Sequence, residues 1–183
     1  MDTYNRSILG RAARADGAYF EDMIIQSAKY YENRGISVID KTPEPMRVLK
    51  PYDRSKGKFI ACFAKQAQPD FKGILQDSTM ILFDAKHTDK DRIRREVVTA
   101  EQEECFERYQ KLGAGCFLVV SLGFENYYRI PWTVFRDMQK IFGHKYMNEQ
   151  EMSPYRISYS GGVLRFLDGL KLRKEFRNED HEV

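Results

Sequence analysis

Pro69-Asp70-Phe71-Lys72-Gly73 and Thr79-Met80-Ile81-Leu82-Phe83-Asp84-Ala85-Lys86 read as two consecutive strands. Residues 79–83 are almost wholly apolar, the pattern of a strand buried on both faces. Asp84 and Lys86 follow two residues apart, so on a strand they project to the same side of the sheet. An acid and a lysine in that position are costly to bury and need partners. Asp70, on the neighbouring strand, supplies a second carboxylate. Two acids can share a divalent cation through hard oxygen ligands, and the lysine can hold or polarise a water beside it. This is the equipment of metal-dependent phosphodiester hydrolysis. Asp-x-Lys alone also fits a strand that ends in a solvated salt bridge. Asp70, preceded by proline and lying 14 positions before Asp84, completes the Pro-Asp … Asp/Glu-x-Lys pattern of nucleases.

The chain has 183 residues, 42% of them hydrophobic and 13% aromatic, which fits one globular domain with a real core. It has no apolar run long enough to span a membrane and no apolar signal region at its start. Cys62, Cys105 and Cys116 form no C-x-x-C pair and read as free thiols of a reducing cytoplasm, with zinc not expected on them. Net charge is only +3, but residues 44–65 carry six basic and two acidic residues, a local +4 on a body that sums to −1. Such a basic segment is the footprint of a phosphate-contact surface or, on charge alone, a solvated loop.

Residues 1–16 are polar and carry Arg6, Arg11 and Arg14, as expected of a mobile arm within reach of DNA. A helix is expected from Gly17 to about Asn33, with Phe20, Met23, Ile24, Ala28 and Tyr31 as its apolar stripe. Glu21 in its first turn suits the helix dipole and could equally point across the sheet edge at a metal. Residues 36–39 form a short strand. Residues 46–64 then read as a protruding hairpin whose tip carries Lys50, Arg54, Lys56 and Lys58, with Tyr52 among them and Arg47 and Lys65 at its base. Basic side chains with an interleaved aromatic suit phosphates and exposed bases. The charged stretch from Thr88 to Glu96, with Lys90, Arg92, Arg94 and Arg95, is expected as a loop and second DNA-backbone contact.

A second helix begins near Thr99, with Gln102, Cys105, Phe106, Tyr109 and Leu112 on one face. Gln102 either aims at the sheet or closes a Thr99-x-x-Gln102 capping box. A buried strand over residues 116–122 pairs with another at 127–130, and a helix runs from Pro131 to Gly143. Short apolar runs at 155–157 and 163–167 precede a charged tail from Lys171. His87, His144 and His181 are scattered, with no ligand partner at metal spacing. The element order fits a mixed α/β core.

Beyond these local readings the chain resembles the RecU-type Holliday junction resolvases of the restriction-endonuclease-like nuclease superfamily, which occur in bacteria and phages. The resemblance is carried by Gly17-Ala-Tyr-Phe-Glu21, Tyr30-Tyr31, Ile39-Asp-Lys-Thr-Pro-Glu-Pro-Met46, Asp70-Phe-Lys-Gly73, Phe83-Asp-Ala-Lys86, Glu101-Gln102, Ile130-Pro131 and Val163-Leu-Arg-Phe-Leu-Asp168. It spans about Gly17 to Leu170. Asp84 stands where the family more often has glutamate and Glu101 where it has histidine, and the stalk sequence diverges. The resemblance implies a restriction-endonuclease-like core, a mixed sheet flanked by helices, over residues 17–170. A basic stalk at 46–64 would be inserted in it, between the arm at 1–16 and the tail at 171–183.

The resemblance also implies a cytoplasmic homodimer that cuts two opposed strands of a four-way junction, with recombination proteins as further partners. Asp70 and Asp84, with Glu21, would hold Mg²⁺ or Mn²⁺. Lys86 would position the attacking water, Gln102 would orient Lys86 or that water, and hydrolysis would leave 5′-phosphates. Arg47, Lys50, Arg54, Lys56, Lys58, Lys65, Arg92, Arg94 and Arg95 would contact DNA. The alternatives are a nuclease of the same fold acting on duplex or flap DNA, and a non-catalytic DNA-binding accessory of recombination.

Overall fold

The computed structural model describes residues 3–43, 45–63 and 68–170, with the side chains of 3–9 and 63 outside that description. The chain opens with helix α1 (Thr3–Glu32), strand β1 (Ser37–Lys41) and a hairpin of β2 (Met46–Asp53) and β3 (Lys58–Phe63). β4 (Phe71–Leu75), β5 (Met80–Thr88), a short β6 (Arg92–Arg94), α2 (Ala100–Lys111) and β7 (Gly115–Leu122) follow. Next come β8 (Asn126–Pro131), α3 (Trp132–Arg136), α4 (Met138–Phe142), β9 (Tyr146–Asn148), α5 (Glu149–Met152) and β10 (Arg156–Ile157). A small hairpin, β11 (Tyr159–Ser160) and β12 (Val163–Leu164), closes the fold. Six strands form one sheet in the order β1-β4-β5-β7-β8-β10. β5 and β7 are parallel and the other neighbours antiparallel. The sheet is therefore mixed, with α2 in the crossover that a parallel pair needs.

Successive residues of β5 and β7 feed two different cores, which is why both strands read as unbroken apolar runs. Phe71, Ile81, Phe83, Ala85, Phe117 and Val119 face α1, which buries Phe20, Met23, Ile24 and Tyr31 against them. Leu82, Leu118 and Val120 face the other way, under Phe106 of α2 and Trp132 and Phe135 of α3.

On the α1 face, Phe71, Phe83 and Phe117 are register partners on three adjacent strands. Their rings stack at 5.0 and 4.9 Å between centroids, and Phe166 leans on Phe83 at 5.3 Å. Each such pair adds about 0.5–1.5 kcal/mol beyond the area it buries. A one-residue slip of β5 would forfeit both pairs and turn the strand's faces over. The C-terminal run is tied onto α1: the Tyr31 hydroxyl donates to Asp168 Oδ1 at 2.8 Å, and Ser27 Oγ accepts the Leu164 N–H at 2.9 Å. Burial first, and then the bond to Asp168, hold the Tyr31 phenol well above its ordinary pKa.

Four sequence expectations need correction. α1 begins at Thr3 rather than after Gly17, so residues 3–16, expected as a mobile arm, are helical. Ala12, Ala13 and Ala15 with Arg11 and Arg14 are strong helix formers, and the interior glycines Gly10 and Gly17 cost only about 1 kcal/mol each. The stretch expected as a charged loop contains β6, which pairs with β9. The helix expected from Pro131 to Gly143 breaks at Asp137, whose carboxylate is held by Arg136 at 2.7 Å. Leu112, expected on the buried face of α2, caps the helix instead and is 87% exposed. No described helix is long and apolar enough to cross a membrane.

Gly73 sits opposite both Ile39 of β1 and Ile81 of β5. A Cβ there would run into the Val38 carbonyl and the Ile39 side chain. Gly73→Ala is expected to lower stability by about 1–3 kcal/mol, read from the urea midpoint at unchanged slope.

Candidate active site

Asp70 lies one residue before β4. The alternation that pairs Phe71 with Phe83 and Lys72 with Leu82 sets it opposite Asp84, on the face away from α1. The two acids are joined through the main chain. The Asp70 N–H donates to Asp84 Oδ1, and the Ala85 N–H donates to Asp70 Oδ2, each at 3.1 Å. Lys86, two residues along β5, forms an ion pair with Asp84 Oδ2. Asp84 is fully buried. Its Oδ2 faces the Lys86 ammonium directly.

Gln102 serves both roles that the sequence left open. Its backbone N–H donates to Thr99 Oγ1 and its Oε1 accepts the Thr99 N–H, both at 3.2 Å, closing the capping box of α2. The other end of the same amide, Nε2–H, donates to Asp84 Oδ1 at 3.1 Å. The cap therefore locks the rotamer that reaches the carboxylate.

The electrostatics follow from packing acids together out of water. Burial, then the charge of Asp84 and a carboxyl–carboxylate hydrogen bond to it, raise the Asp70 pKa to about 7. At Lys86 burial favours the neutral amine, but the charges of Asp84 and Asp70 more than reverse this, leaving its pKa above that of ordinary lysine. Lys86 is accordingly an ammonium ion at neutral pH. It cannot act as a base, but it can neutralise charge.

Glu21 pairs with Lys41 Nζ at 2.5 Å, and its charge is felt at Lys86. Lys41 and Thr42 are the residues that sequence reasoning missed. Lys41 ends β1 opposite Phe71, and the Thr42 N–H donates to the Asp70 carbonyl at 2.7 Å. The Thr42 hydroxyl oxygen is buried, with no hydrogen-bond partner among the described residues. Only the alternation along β1 hinted at it.

Beside the ammonium, Lys86, Thr88, Lys90, Arg92 and Arg94 line a cavity of about 120 Å³. Arg92 is held by Asp91 through two bonds of 2.8 Å, and Arg94 is exposed. Arg95, expected beside them as a DNA contact, turns inward instead. It pairs with Glu103 at 2.7 Å and lies over the Trp132 ring at 5.0 Å.

The hairpin at 46–63 is present, and its paired residues separate by character. Arg47, Lys50 and Lys58 share one face with Asp53, Ile60 and Cys62; Val48 and Pro51 share the other with Phe59 and Ala61. Arg54 and Lys56 lie in the exposed turn. Lys65 and the tail from Lys171 lie outside the described residues.

Comparison with known proteins places this geometry in a family. The family model described as Recombination protein U (RecU) matches residues 15–172. The Holliday junction resolvase RecU of Streptococcus sanguinis is 30% identical over 144 residues, covering 75% of this chain and 71% of that protein. The Holliday junction resolvase RecU of Bacillus pumilus is 27% identical over 143 residues, covering 74% of this chain and 69% of its own. Among solved structures, the Holliday junction resolvase Hjc of Archaeoglobus fulgidus aligns with a TM-score of 0.46 at 10% identity, over 75% of this chain and 90% of that one. That likeness is too slight to add to the family match.

The raised Asp70 pKa sets the pH dependence. The folded value of about 7 lies above the ordinary 3.8. The stabilisation that Asp70 gives the metal-free fold is therefore complete below about pH 4 and is lost as pH rises through about 7. A divalent cation that displaces the shared proton should release about one proton per ion at pH 6 and close to none at pH 8.5. Calorimetric Mn²⁺ titration in buffers of different ionisation enthalpy reads this directly, and Asp70→Asn is expected to abolish the release.

Proposed function

The chain belongs to the recombination protein U family, and we propose that it is a metal-dependent endonuclease that resolves four-way (Holliday) junctions by paired phosphodiester hydrolysis. The observation that carries this reading is the pair of half-buried Asp70 and fully buried Asp84, with the Lys86 ammonium against one Asp84 oxygen and the Gln102 amide against the other. The donor set fits a hard divalent cation. It offers two carboxylates on one side of the sheet, close enough to share a proton.

Asp70 and Asp84 are the residues that would hold Mg²⁺ or Mn²⁺, with Glu21 completing or orienting the shell when it leaves Lys41. Bound there, the cation would polarise the scissile phosphate and lower the pKa of a water. The protein's own groups do the rest. Lys86 holds a positive charge where the oxygens around a pentacoordinate phosphorus would gain negative charge. Gln102 keeps Asp84 in one rotamer. Lys90, Arg92 and Arg94 flank Lys86 around the cavity, in position for the DNA backbone on either side of the cut. Hydrolysis in this arrangement leaves a 5′-phosphate and a 3′-hydroxyl.

The substrate is branched DNA and the working unit a homodimer, so that two such sites cut two opposed strands. Arg47, Lys50, Lys58 and the turn residues Arg54 and Lys56 place cationic charge on one face and the tip of the hairpin, suited to the phosphates around a branch point. Lys65 belongs to the same proposed set by sequence. Arg95, with its guanidinium committed to Glu103 and Trp132, contributes by holding β6 against α2.

With Mg²⁺, Asp84→Asn is expected to lower cleavage of a synthetic four-way junction by about 10²–10³-fold or more while junction binding persists. Undiminished cleavage would remove Asp84 from the mechanism. Equal cutting of linear duplex at the same salt would show a general nuclease, and no metal-dependent product from the wild type would leave a binding accessory. Lys50→Ala and Lys58→Ala should each weaken junction binding and reduce the salt slope of log K by about one unit.

A further inference from the structure

The fold also brings together three side chains able to ligate a metal, on the α1 face of the sheet and not on the face that holds Asp84. Asp16 of α1, His87 on β5 and Asp89 just beyond it bring two carboxylate oxygens and an imidazole nitrogen within 4.8 Å of one another. Sequence spacing conceals the group, because Asp16 arrives from a helix far from His87 in the chain. The sequence shows no ligand partner for His87 at metal spacing; the fold brings Asp16 and Asp89 to it.

The imidazole is held in the manner of a ligating histidine. Its Nδ1 is 3.1 Å from Ser121 Oγ, a fully buried hydroxyl that satisfies Nδ1 whichever way it is protonated and so leaves Nε2 open to a proton or a metal. Phe124 stacks on the ring at 4.0 Å, from a backbone φ of 58° that non-glycine residues seldom adopt. The histidine side chain is only 5% exposed, yet Nε2 reaches outward to Asp89 Oδ1 at 3.1 Å, on a side chain that is 77% exposed and free to adjust. Among the described residues no lysine or arginine ion pair is made with Asp16 or Asp89. Two carboxylates thus meet one imidazole edge with no fixed cation to balance them.

We propose that Asp16, His87 and Asp89 bind a divalent transition-metal ion of the Mn²⁺, Co²⁺ or Zn²⁺ class, separate from the catalytic cation. One imidazole with two carboxylates suits these borderline ions, whereas Mg²⁺ prefers oxygen alone. The ion joins α1 to the end of β5. It thereby fixes the N-terminal turns of α1, with exposed Arg11 and Arg14, beside the basic cavity that His87 also lines. The site does not depend on the proposed nuclease activity, and its test is read without DNA.

The test uses Co²⁺ and the full-length chain carrying Asp70→Asn and Asp84→Asn, which removes the acid pair as a binding site. One Co²⁺ per chain is expected, with visible d–d absorption. His87→Gln or Asp89→Asn is expected to weaken binding at least about tenfold. Asp89 is so exposed that its substitution leaves the fold intact, which keeps the test sound if the His87 variant fails to fold. Should the Asp70/Asp84 background unfold, the wild-type chain is expected to bind two Co²⁺, and Asp89→Asn one. Saturating Co²⁺ should also slow trypsin cleavage after Arg11 and Arg14. No bound ion in the folded Asp70/Asp84 variant, or binding unmoved by either substitution, overturns the site; cleavage unaffected by Co²⁺ overturns the anchoring of α1.

Discussion

A ladder of three phenylalanines decides where the charges go. Phe71, Phe83 and Phe117 stack across β4, β5 and β7 under α1. Because side chains alternate along a strand, aligning these rings on one face aligns the next residues on the other. Asp70 and Asp84 are those neighbours, and Lys86 follows with the next inward turn of the pleat. The apolar core on one side of the sheet thus fixes the register of the polar site on the other. The register brings the acids together, and the polar groups around them offset their repulsion.

That division of labour explains how so unfavourable a site survives folding. A carboxylate buried without compensation would take up a proton or disrupt the structure. Asp84 is compensated by the Asp70 N–H, the Gln102 amide and the Lys86 ammonium. The remaining imbalance appears at Asp70, whose pKa climbs to about 7. The metal-free site is therefore one positive charge short of balance, and a proton fills the gap. The burial and the repulsion that lift Asp70 would also favour a divalent cation in the place of that proton.

The parts legible in the sequence were those set by short spacing. Alternation placed Asp84 and Lys86 on one side of a strand, the three- and four-residue steps of Phe20, Met23, Ile24, Ala28 and Tyr31 marked the buried stripe of α1, and Thr99-x-x-Gln102 marked a helix start. Features set by tertiary docking were not legible. The pairing of Lys41 with Glu21 depends on how β1 docks beside α1, and the place of Thr42 opposite Asp70 depends on an antiparallel register between distant segments. Arg95 reads like its neighbours Arg92 and Arg94 until β6 turns it toward Trp132. Residues 3–16 read as an arm by their polarity, but Ala12, Ala13 and Ala15 favour helix strongly and the segment is helical.

The hairpin shows a further thing that composition hides. In a regular strand Arg47 and Lys50, three apart, would point to opposite sides. Register shifts between Val48 and Lys50 and between Pro51 and Asp53 each insert one extra residue, Leu49 and Tyr52, and re-phase the strand. Arg47, Lys50 and Lys58 consequently share a face, while Val48, Pro51, Phe59 and Ala61 share its reverse. Val48 and Phe59 remain 59% and 56% exposed, and an isolated two-stranded hairpin is marginal in water. A ribbon with cations on one side and uncovered apolar groups on the other is built to be sandwiched. The cationic face suits phosphates, and the reverse leaves Val48 and Phe59 uncovered. A single run of basic residues, read as charge alone, becomes through two bulges a device with two distinct surfaces.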